Sequence, residues 1–203
     1  MGNKCHLYPD DGEVVGRMML QFPDGSTYRG DIKDRKPDGR GVLTRRDGAT
    51  HDGEWKDGLP TNYGNVTYPN GDTYTGYFER GLREGPNGRY TSKNYTYNGE
   101  WRKGRMHGDG EIEFTDGRRY KGQFENNQFN GEGVYVYGAG KSYVGSWLGG
   151  QKNGRGKITL PDGSVYEGDW AKGKETASAT YTNKQGNSVI GAWQGESFVP
   201  RYQ

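Results

Sequence analysis

A single spacing governs this chain. Stepping by 23 from residue 28, the first position of each frame holds Tyr28, His51, Tyr74, Tyr97, Tyr120, Tyr143, Tyr166 and Val189. Two residues on, every frame carries glycine, from Gly30 to Gly191. Four residues on come Ile32, Trp55, Phe78, Trp101, Phe124, Trp147, Trp170 and Trp193, so all five tryptophans share one offset. A fixed period of this length marks a repeat array, in which each unit is too small to bury a face alone and relies on its neighbours.

Composition sharpens that reading. Only 29% of the 203 residues are hydrophobic, 37 are glycine, and mean hydropathy is -1.15, values that usually accompany disorder. Sixteen tyrosines and five tryptophans in strict register supply the ordering force that a disordered chain lacks, so the expectation is an ordered array with a thin core. A net charge of +2 gives no bias toward nucleic acid. The single cysteine forms no internal disulfide, and no long apolar stretch is present, which points to an intracellular protein.

Residues 97–119 show the unit. Tyr97, Gly99 and Trp101 alternate with Asn98 and Glu100, a period of two that places the aromatics on one face of a strand. A loop with Gly104 and Gly108 is expected next. Gly110, Ile112 and Phe114 then alternate with Glu111 and Glu113 as a second strand, and Asp116-Gly117 supplies a turn. Second-strand inward positions repeat as Leu20 and Phe22, Val66 and Tyr68, Tyr135 and Tyr137, Ile158 and Leu160. Each repeat therefore reads as a β-hairpin with one apolar face. Glycine between two aromatics lets a ring lie across the missing side chain. The predicted fold is all-β, an elongated single-layer twisted antiparallel meander, in which each unit advances the array by roughly 10 Å.

The pattern Y-x-G-x-W-x-x-G-x-x-x-G-x-G with a D-G turn, carried closely by residues 51–64 and 97–110, resembles the MORN repeat. The resemblance covers nearly the whole chain and implies an elongated antiparallel β-meander. One array over residues 1–203 is expected: a degenerate first repeat at 5–27, seven repeats over 28–188, and a truncated last repeat at 189–203. Departures at Asn87-Gly88 and at Ala177 and Ala179 suggest local changes of twist. Pro200 removes a donor from a sheet edge.

No catalytic constellation emerges. His6, His51 and His107 lie in different parts of the array, His51 in place of a repeat tyrosine, and Cys5-His6 lacks the spacing of a zinc motif. The Gly-x-Gly pairs open no helix, and Asp24, Asp47, Asp72, Asp116 and Asp162 read as turn formers. No enzyme activity, metal or cofactor is expected.

Three surfaces are candidates. The first is an aromatic partner-binding face of Tyr74, Phe78, Tyr97, Trp101, Tyr120, Phe124, Tyr143, Trp147, Tyr166, Trp170 and Trp193. The second is a basic loop edge of Lys33, Arg35, Lys36, Arg80, Arg83, Arg102, Lys103 and Arg105, suited to an acidic protein surface or anionic headgroups. The third is the start of the chain, where Gly2 and Cys5 are candidate acylation sites. The family resemblance implies a non-enzymatic scaffold in a cytoskeletal or ciliary assembly, located in the cytoplasm, binding other proteins and in one version a second copy. The alternative is a peripheral membrane organiser held by an acylated start and the basic edge; a regulatory subunit of an enzyme in another chain is a third reading.

Overall fold

A computed structural model describes residues 16–194 and 197–201, and all regular structure among them is β-strand. The first repeats supply β1 (Gly16–Gln21), β2 (Thr27–Lys33), β3 (Lys36–Thr44), β4 (Thr50–Lys56), β5 (Leu59–Thr67) and β6 (Thr73–Glu79). The middle supplies β7 (Leu82–Thr91), β8 (Tyr95–Arg102), β9 (Arg105–Phe114), β10 (Arg119–Glu125), β11 (Gln128–Gly138) and β12 (Lys141–Leu148). The last are β13 (Gln151–Thr159), β14 (Val165–Ala171), β15 (Lys174–Thr182), β16 (Ser188–Gln194) and β17 (Ser197–Pro200). Each strand pairs antiparallel with the next, so the described residues form one continuous meander.

Two kinds of turn line the two edges. Along one run two-residue turns with positive φ at both positions: Asp34-Arg35, Asp57-Gly58, Arg80-Gly81, Lys103-Gly104, Asn126-Asn127, Gly149-Gly150 and Lys172-Gly173. This geometry matches the right-handed twist of the strands it joins. The turns are also stitched together: the second residue donates its N–H to a carbonyl one repeat earlier, as in Gly81 to Pro60 at 2.9 Å, Gly104 to Arg83 at 2.8 Å and Gly173 to Lys152 at 2.9 Å. Along the other edge, aspartates close longer turns by accepting a backbone N–H two residues on, as Asp24 does from Ser26 and Asp162 from Ser164.

Two expectations about the unit are corrected, and one departure seen in the sequence takes a specific form. The loop expected between Gly104 and Gly108 is a two-residue turn followed by unbroken strand, because β9 begins at Arg105 and absorbs two extra residues, Gly108 and Asp109, as a bulge opposite the Gly99–Glu100 step. Asp72 is not a turn former; Asn70 takes that role, while the buried Asp72 carboxylate accepts the Tyr90 hydroxyl. At Asn87-Gly88 the constant period conceals two compensating changes. Tyr74 pairs with Tyr90 where Tyr97 pairs with Ile112, one residue further along the strand, and the turn at Ser92–Asn94 is one residue shorter than the turn after β9.

The core is a seam of rings lying on a line of glycines. Gly30, Gly41, Gly53, Gly64 and Gly76 pair across β2 to β6, and Gly99, Gly110, Gly122, Gly133, Gly145, Gly156 and Gly168 across β8 to β14. Tyr28, Tyr97, Tyr120 and Tyr143 each lie across such a pair. A Cβ at Gly110 would come within 2.6–2.8 Å of the Tyr97 ring. The hydroxyl reaches beyond the glycine and donates to the carbonyl three residues on, Tyr97 to Glu100 at 2.8 Å and Tyr120 to Gln123 at 2.9 Å. Burial is complete as a result: Tyr28, Tyr74, Tyr97, Tyr120 and Tyr143 are 0% exposed. Edge-to-face contacts then run from ring to ring, Tyr97 to Trp101 at 5.3 Å, Tyr97 to Phe124 at 5.0 Å and Tyr120 to Phe124 at 5.2 Å.

Candidate protein-interaction face

The rings expected to meet a partner directly prove to be the core. Phe78, Trp101, Phe124, Trp147 and Trp170 are 3–7% exposed, and Tyr74, Tyr97, Tyr120 and Tyr143 are wholly covered, so none of these offers a contact surface. The reason is the glycine line: rings sink into the missing side chains, and neighbouring rings seal them without a second sheet. Tyr166 is half-buried, and the side chain of Trp193 lies outside the described residues. Trp55 and Trp101 donate their indole N–H to Gly41 and Gly88 carbonyls at 3.0 and 3.1 Å; Trp147 does so at 3.5 Å, and Trp170 Nε1 finds no acceptor.

What a partner can touch is the layer above. Tyr68, Tyr90, Tyr95, Phe114, Tyr137 and Leu160 are half-buried against the seam and come from the second strands and turn edges of successive repeats. Over them no other part of the described chain is folded, since every strand belongs to the one sheet. The opposite face is polar and carries exposed ion pairs such as Arg17–Asp31 and Arg155–Glu167. Its few large exposed apolar groups include Tyr63 and Tyr77, an edge-to-face pair that is 47% exposed at each ring.

A row nine residues after each frame position was missed in the sequence. It holds Pro37, Pro60, Arg83, Met106, Phe129, Lys152 and Glu175, each paired across the hairpin with the core side chain of its own repeat, Ile32 in the first and a ring in the rest. Arg83 corrects the basic-edge assignment, because its guanidinium lies 4.0 Å from the Trp101 ring centre on the aromatic face and donates to the Gly104 carbonyl at 2.8 Å. Phe129 stacks on Tyr120 at 3.9 Å. Lys152 holds its ammonium 4.9 Å over Tyr143 and 5.4 Å over Tyr137. Burial lowers the Lys152 pKa, against the raising influence of Glu175. The same 23-residue count exposes this row, but its residue types vary so much that no type signal marks it.

The seam has a gap at His51. The smaller ring fills the tyrosine site only in part, its Nε2 has no hydrogen-bond partner, and desolvation pulls its pKa down to about 4. Beside it opens a cavity of about 280 Å³ lined by Leu43, Trp55, Pro60, Val66, Tyr68 and Phe78.

The sequence matches the MORN repeat family over residues 28–50, 51–73, 74–96, 97–118, 120–142, 143–165 and 166–188. The chain belongs to the MORN repeat family. No curated protein matches it in sequence. Among solved structures, the MORN array is similar to the SAS-4 (dCPAP) TCP domain of Drosophila melanogaster, solved with a proline-rich motif of Ana2 (dSTIL), at 13% identity and a TM-score of 0.48, covering 91% of this chain and 96% of that one. It is also similar to the TCP10 domain of Danio rerio CPAP, solved with a peptide of Danio rerio STIL, at 13% identity and a TM-score of 0.47, covering 86% of this chain and 74% of that one.

The remaining expected sites of the MORN array fall at the two-residue turns or outside the described residues. Arg35, Lys36, Arg80, Arg102, Lys103 and Arg105 are exposed at or beside those turns, and Lys33 lies at the end of β2. Gly2 and Cys5 lie outside the described residues.

Proposed function

We propose that this MORN array is a non-enzymatic scaffold that holds other proteins on its aromatic face, within a cytoskeletal or ciliary assembly in the cytoplasm. The observation that carries the reading is the half-buried row Tyr68, Tyr90, Tyr95, Phe114, Tyr137 and Leu160, which crowns one face of a single-layer sheet that the described chain leaves open. Tyrosine-rich, rigid surfaces anchor interfaces because they bring large amphipathic area at little conformational cost. A sheet pinned on both edges by turns loses little entropy on binding. The cytoskeletal or ciliary setting rests on the family resemblance.

A second reading is favoured by the exposed cations at the two-residue turns: a peripheral membrane organiser with an acylated Gly2 and Cys5 and a basic edge toward anionic headgroups. Detergent fractionation of cells expressing the chain with a C-terminal tag, wild type beside Gly2→Ala, separates the two. The scaffold reading expects both in the detergent-insoluble pellet. Release of wild type from a membrane pellet by detergent, with Gly2→Ala already soluble, overturns it in favour of the membrane reading.

A further inference from the structure

The row nine residues into each repeat varies in chemistry while its geometry stays fixed. The backbone at Arg83, Met106, Phe129 and Lys152 is held by the next repeat's turn, whose N–H bonds to each of these carbonyls at 2.8–3.0 Å. All four side chains therefore stand at equivalent places over successive repeats, in the order cation, apolar, apolar, cation. At two strands per repeat and about 4.8 Å per strand, the two cations stand roughly 30 Å apart along the array.

Among the described residues neither cation sits in an ion pair, although Glu175, next in the row, acts on Lys152 electrostatically from a distance. Arg83 is held by a carbonyl and by aromatic rings, Lys152 by the rings of Tyr143 and Tyr137. Covering a half-buried cation with an uncharged surface costs its remaining hydration unless an anion comes with the cover. Between the two, Met106 and Phe129 ask for apolar contact.

We infer that Arg83 and Lys152 are the specificity determinants of the aromatic face, selecting a segment of another protein that carries one carboxylate over each cation and an apolar stretch over Met106 and Phe129 between them. The inference rests on the scaffold reading above. A basic segment is repelled at both ends. A second copy docked about a two-fold axis at the middle of the row opposes Arg83 of each copy with Lys152 of the other, and like charges brought together under an interface act against pairing.

The test uses the full chain and a display library of randomised peptides about 24 residues long, enough to span roughly 30 Å as either helix or strand. Wild type is expected to enrich peptides with acidic residues bracketing an apolar stretch. Arg83→Glu/Lys152→Glu is expected to bind those peptides about 10-fold or more weakly and to enrich basic residues in their place. Arg83→Met/Lys152→Met, which keeps apolar cover over the rings, loses the acidic preference without gaining a basic one. Retention of the same peptides by wild type and both variants overturns the inference while leaving the scaffold reading standing. Retention of no peptide by any of them overturns both. Binding of phosphatidylserine vesicles that the charge reversal abolishes makes the occupant a lipid surface, and the inference falls.

Discussion

The repeat from Tyr97 and the repeat from Tyr166 share their frame residues, but where the first has Gly110 under the ring the second has Ala179. In the first, Gly99 faces Gly110, and Tyr97 lies across both, fully buried and bonded to the Glu100 carbonyl. In the second, Gly168 faces Ala179, whose Cβ stands 3.0 Å from where a Gly168 Cβ would be. The flat seat is gone. Tyr166 remains half-exposed and leans on Tyr181 at 4.7 Å and Phe198 at 5.4 Å. The comparison teaches that the glycines do more than permit turns: paired across strands, they form the binding site for the tyrosine that gives this thin sheet its core.

Breaking the better repeat has the largest expected effect. Gly110→Ala places a methyl within 3 Å of the Tyr97 ring on a strand backbone that tolerates alanine, so the cost is steric. Unseating a core ring on this scale destabilises by about 3 kcal/mol. Urea unfolding of the full chain should show it, and Gly110→Ala at wild-type stability contradicts the seating argument.

Acid reaches the seam at its gap. His51 is 8% exposed and its folded pKa is about 4, against 6.5 for the free side chain, so the unfolded state binds the proton more readily between those values. The stability this neutral ring contributes is present above pH 6.5 and lost as pH falls toward 4, up to about 3 kcal/mol. His51→Tyr restores the frame residue over Gly53 and Gly64 and should remove that part of the pH dependence. Parallel stability profiles of the two proteins from pH 7 to 4 are the check; equal slopes refute the assignment.

Smaller changes sharpen the comparison. Tyr97→Phe keeps the seated ring and deletes its hydrogen bond to Glu100, for a loss of about 1 kcal/mol in the same urea assay. Ala179→Gly reopens the seat for Tyr166; the gain in ring burial is offset by the entropy of a new glycine, leaving stabilisation of about 0.5 kcal/mol. The clearer readout is the Tyr166 ring itself, whose NMR shifts should move toward those of the seated tyrosines.

The array was legible because its structural residues repeat in type as well as position. Tyrosine, glycine and tryptophan at fixed offsets announce the strand, and the Asp-Gly pairs announce the outer turns. Other features keep a position and not a type. The row of Arg83, Met106, Phe129 and Lys152 changes from charged to apolar and back, so nothing in its composition separates it from a loop edge, where the sequence alone puts Arg83. Burial of the frame rings was hidden too, since a one-layer sheet suggests an open aromatic face until the paired glycines are seen to let the rings sink. At Asn87-Gly88, an added strand residue and a shortened turn cancel in the count, leaving the period silent about both.

The central claim, that partners meet the aromatic face, is tested most directly by placing a photo-crosslinking phenylalanine at single positions of the full chain in cells. Tyr137 stands on the aromatic face, half-buried, and Tyr77 on the polar face, 47% exposed. Crosslinking from position 137 should yield discrete protein adducts that position 77 does not; adducts from 77 alone, or the same adducts from both, would contradict the account.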